Sequence, residues 1–63
     1  EGMSELQQRE IFDQLDSDVR KLLSLIHSVR IYMIIGNDEK AAEDLQKARW
    51  LAQRISSALN ELR

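Results

Sequence analysis

The stretch Ile31-Tyr32-Met33-Ile34-Ile35-Gly36-Asn37-Asp38-Glu39-Lys40-Ala41-Ala42 decides the fold. Ile31 to Ile35 is the longest apolar run in the chain, and a glycine, two capping residues and an acid follow it directly. Glycine has no Cβ and tolerates positive φ, so Gly36 suits the left-handed position just past a helix end. Asn37 or Asp38 can accept hydrogen bonds from the free N–H groups of a following helix, and Asp38 and Glu39 favour its positive end. The only other glycine is Gly2 and there is no proline, so everything on either side of this joint can be helical.

Working backwards, Ser4-Glu5-Leu6-Gln7 has the spacing of a capping box. From there Phe12, Leu15, Val19, Leu22, Ile26, Val29 and Met33 alternate steps of four and three, the heptad pattern of a helix packed lengthwise on others. Ile11, Leu23 and Ile34 widen the stripe. A continuous helix over 4–35 would be ~48 Å long at 1.5 Å per residue. Asp16-Ser17-Asp18 offers an alternative, because short polar residues favour caps and turns. A break near 16–18 would give a three-helix bundle, but the heptad phase runs through it and continuous helix is expected.

Working forwards, Ala41, Leu45, Ala48, Ala52, Ile55, Leu59 and Leu62 form a second heptad seam, flanked by Leu51 and Ala58. Its alanines allow close approach to the larger side chains of the first helix. The expected fold is therefore all-α: an antiparallel hairpin of helices at about 4–35 and 38–62, pairing into a four-helix bundle. The chain makes one domain over 1–63, with residues 1–3 expected to be disordered or a tag remnant. At 63 residues a single core is marginal; small folds usually add disulfides, a metal or self-association. Cysteine is absent and His27 is the only histidine, so self-association remains.

Several side chains fall off the seams at 100° per residue. Ile31 and Ile35 lie on the far side of the first helix, and Leu25 and Tyr32 sit together on one flank. Trp50 lies opposite Leu45, with Arg54 one turn on, placed for a cation–π pair or for an interface hot spot. Leu25, Ile31, Tyr32, Ile35, Trp50 and Arg54 are thus the candidate protein-interface residues, for a second copy or for a different protein.

Chemistry is missing from the pattern. No GxGxxG, P-loop, HExxH or CxxC occurs. His27 has serines at 24 and 28, but no carboxylate to orient it and no oxyanion site. Asp13, Asp16 and Asp18 diverge on a helix and lack the loop of an EF-hand. The expectation is a protein that is not an enzyme, with no catalytic or metal residues, no cofactor and no small-molecule substrate. Formal net charge is −2 and the cations are scattered, which argues against nucleic acid. Ile31 to Ile35 is far shorter than the ~20 residues of a membrane span. A soluble protein, cytoplasmic or recombinant, is expected, with itself or another protein as partner.

The stretch Gly36 to Glu43 resembles the idealised helix joints of de novo designed helical miniproteins. That resemblance implies a scaffold or binder, with Ile31, Tyr32 and Trp50 serving a target; the glutamine, serine and arginine on the surface depart from it. In length and turn position the chain is also similar to small YscE-like co-chaperones of type III secretion. That likeness implies a hairpin that holds a helical partner protein, and no family-defining residue carries over.

Overall fold

The computed structural model describes residues 4–62; the expected disorder or tag remnant at 1–3 lies outside the described residues. Two helices account for nearly all of it: α1, Glu5–Ile35, and α2, Asp38–Glu61. They pack side by side as an antiparallel hairpin 51 Å long and 14 × 11 Å across. No break occurs at Asp16-Ser17-Asp18, which overturns the three-helix alternative. Asp18 forms a side-chain bond to Gln14 and an ion pair across to α2, and Asp16 pairs with Arg20 one turn on. Their polar groups are occupied without competing for the helical backbone.

The ends are built as the residue types require. Ser4 Oγ accepts from the Gln7 N–H at 3.2 Å and Gln7 Oε1 accepts from the Ser4 N–H at 3.2 Å, a complete capping box. Gly36 has φ of 81°, in the left-handed region. Its N–H donates to the Met33 carbonyl and the Asn37 N–H to the Tyr32 carbonyl, so two carbonyls of the last turn of α1 are satisfied. Asn37, rather than Asp38, caps α2: its Oδ1 accepts from the Lys40 N–H at 3.2 Å.

The helices meet along a seam that differs from the heptads read in the sequence. On α1 the half-buried and buried positions that face α2 are Ile11, Leu15, Asp18, Leu22, Leu25, Val29 and Tyr32, with Ser28 half-buried beside Val29. On α2 they are Ala41, Asp44, Ala48, Leu51, Ile55, Ala58 and Leu62. Each alternates steps of three and four. Each also replaces half of the expected heptad by the residue one position earlier: 11, 18, 25 and 32 stand for 12, 19, 26 and 33, and 44, 51 and 58 for 45, 52 and 59. The apolar stripe on each helix is wider than one partner helix covers, so the hairpin uses one edge and leaves the other.

The buried apolar core is correspondingly small: Leu15, Ala41, Ala48 and Leu51, with no side chain fully buried. Two of these four are alanines, Ala41 and Ala48, whose small volume allows close approach of the helix axes.

Candidate functional site

The two broad sides of the hairpin follow from helix geometry. A residue one position after a seam residue is rotated by about 100° about the helix axis. Because α1 and α2 run antiparallel, the same rotation about each axis swings both sets of side chains to the same side of the hairpin. Positions 12, 19, 26 and 33 of α1 therefore share a side with 45, 52 and 59 of α2. Residues one position before the seam, such as 21, 24, 31, 47, 50 and 54, share the opposite side.

The first side is an apolar stripe. Phe12, Val19, Ile26, Met33, Leu45 and Leu59 are each between 40% and 63% exposed, and Ala52 lies between the two leucines, also exposed. Each helix repeats them at intervals of seven. Scattered exposed leucines are ordinary, but a row of large apolar side chains in register on two adjacent helices is an unfilled contact surface.

The second side is a groove of about 410 Å³ lined by Lys21, Ser24, Leu25, Lys47, Trp50, Leu51 and Arg54. Leu25 and Leu51, both on the seam, make its floor. Trp50 stands at the edge, 58% exposed, with the Arg54 guanidinium 5.0 Å from its ring centroid. That distance is within cation–π range. Arg54 also reaches across to Asp18, N to O 3.5 Å, whose side chain is only 4% exposed. Gln14 donates to the other oxygen of Asp18 at 3.1 Å. Asp18 thus occupies an apolar heptad position between Leu15 and Leu22 and is held by one residue from its own helix and one from α2.

Of the expected interface residues, the structure brings Leu25, Trp50 and Arg54 together in this groove. Ile31 is on the same side, about 12 Å nearer the turn at 1.5 Å per residue, and exposed. Ile35 is exposed at the very end of α1. Leu25 and Tyr32, which sit together on one flank of α1, are both half-buried, because the seam is rotated toward that flank. The buried acids Asp18 and Asp44 were not foreseen. The heptad spacing of Asp18 between Leu15 and Leu22 was the available signal. Asp44 has no side-chain partner among the described residues, but no buried side-chain oxygen is left unsatisfied there, so its carboxylate reaches water.

Among the described residues no group of three His, Cys, Asp or Glu could hold a metal ion. No helix there is long and apolar enough to cross a membrane. His27 is exposed and has no side-chain hydrogen-bond or ion-pair partner among the described residues.

What the fold and its surfaces define is a small all-α hairpin with two unlike sides, one apolar and one grooved and cationic. The family described as Sulfolobus spindle-shape virus 1, protein D-63, matches residues 3–63, and the chain belongs to that family. No solved structure matches the chain. The designed-miniprotein and co-chaperone resemblances gain no support from these comparisons.

Proposed function

We propose that this protein is a non-catalytic protein–protein interaction module, a helical hairpin that pairs with a second copy through its apolar side to make a four-helix bundle. The observation that carries this is the heptad row Phe12, Val19, Ile26 and Met33 lying beside Leu45, Ala52 and Leu59. A two-fold axis through that side sets α1 of one copy against α2 of the other, large side chains opposite leucine and alanine, the isologous arrangement common in dimers. The stripes read in the sequence, centred on Leu15, Leu22, Ala48 and Ile55, then become the middle of a four-helix core rather than the edge of a two-helix one.

Each large side chain of the row is already about half-buried, so covering the rest is worth ~1 kcal/mol apiece. That is substantial beside the four buried apolar residues of one hairpin. A secretion-type co-chaperone would use the same row to hold a helix of another protein.

Size exclusion with light scattering separates these alternatives. Pairing gives twice the 7.3 kDa of the chain and a thermal midpoint that rises with protein concentration. A monomer whose midpoint ignores concentration would overturn self-association and leave the row to a different partner.

A further inference from the structure

We propose that the groove on the opposite side binds an acidic amphipathic helix of a partner protein, an apolar residue seated on Leu25, Leu51 and Trp50 and carboxylates on Lys21 and Lys47. The chain carries a formal net charge of −2, yet no carboxylate lines this groove and three cations do. Those cations are not equivalent. Arg54 is committed, stacked on Trp50 and paired with Asp18. Lys21 and Lys47 form no salt bridge among the described residues, although Asp18 and Asp44 lie three positions before them.

The placement of these cations fits a helix. With Asp18 level with Arg54 across the hairpin, Lys47 falls about 6 Å further along the groove than Lys21, at 1.5 Å per residue. Trp50 lies between them in level. Two acids about one turn apart on a guest helix, with an apolar residue beside them, match that spacing. The open shape suits a helix laid into a groove between two others. A nucleic-acid strand would also find a tryptophan to stack on, but two free ammonium groups on an acidic chain are a poor electrostatic track for phosphates.

The groove is complete in one hairpin, so this inference does not depend on pairing through the apolar side. Trp50 is the only tryptophan in the chain, which makes its emission a direct reporter of the groove. The test titrates the full chain with two synthetic helical peptides of identical apolar face, one flanked by glutamate and one by lysine. The glutamate peptide is expected to give a saturable blue shift of Trp50 that weakens with salt, and the lysine peptide none.

In K21E/K47E, whose helix content is checked by circular dichroism, the glutamate peptide should bind about tenfold more weakly, two exposed ion pairs being lost. The lysine peptide should now bind. Equal responses to both peptides, or no saturable shift at millimolar peptide, would overturn the proposal. So would oligothymidylate shifting Trp50 where the glutamate peptide does not. A change in the mass of K21E/K47E would also overturn it, by assigning the groove to a second copy.

Discussion

The two sides of this hairpin have been built from the same two heptads, yet they differ in almost every respect. One is an exposed apolar row, repeating large apolar residues every seven positions and, among the described residues, containing no ion pair between the helices. The other places Asp18 in the seam, Arg54 over it, and Trp50 with two free lysines around a groove. Apolar rows are non-directional and tolerate sliding, because burial depends on area rather than on alignment. A buried carboxylate with one partner on each helix is different. Moving α2 by one turn would strand Asp18 without Arg54, and an unpaired buried charge is costly. The groove side therefore holds a pair that depends on the register of the hairpin, and the row leaves apolar surface exposed for the association proposed above.

The comparison breaks most sharply at the row. Ile26→Asp should convert a dimer into a monomer by light scattering. The expected loss is ~3–6 kcal/mol of apparent stability per dimer, since each substitution acts twice and sets a carboxylate among apolar groups. If the mass is unchanged, association does not use that side.

A smaller effect is expected on the other side. Arg54→Ala leaves Asp18 with Gln14 alone and should destabilise the hairpin by ~1–3 kcal/mol in urea melts, with the larger figure discounted because Arg54 is partly exposed. Adding Asp18→Leu restores an apolar heptad position and should recover that loss, since buried ion pairs can be replaced by packed apolar groups at little cost. Failure of the double variant to recover would show that the pair stabilises beyond its register role.

Gly36→Ala tests what holds the two sides in relation. A Cβ at Gly36 meets nothing within 4 Å, so the cost is the left-handed backbone alone, about 1 kcal/mol, read from the thermal midpoint. The smallest effect belongs to Asp16→Ala. Its pair with Arg20 is 3.2 Å long but both side chains are mostly exposed, and the change should stay within ~0.5 kcal/mol.

Much of this molecule was legible in its residues. Ser4 and Gln7, Gly36 and Asn37 act locally, within five positions, so their hydrogen bonds could be read directly from spacing. The period of the apolar residues likewise made both helices certain to have a packed side. The rotation of that side was not legible. A stripe wide enough for two neighbours does not say which neighbour its own chain supplies, and the hairpin took the edge holding Ile11, Asp18, Leu25 and Tyr32.

The same limit explains the candidate site. Trp50 and Arg54 stood out because they fall off the seam and lie four apart. In the sequence Lys21 and Lys47 are two of nine scattered cations, and Asp18 belongs to a short polar run that offers a helix break. Helical type, the ends of the elements and the joint between them followed from the sequence by itself, because each rests on contacts between near neighbours in the chain. Which edge of each stripe is covered, which acid is buried, and which cations face one groove came only from the tertiary structure. Those outcomes depend on how one helix is rotated against another far from it in sequence.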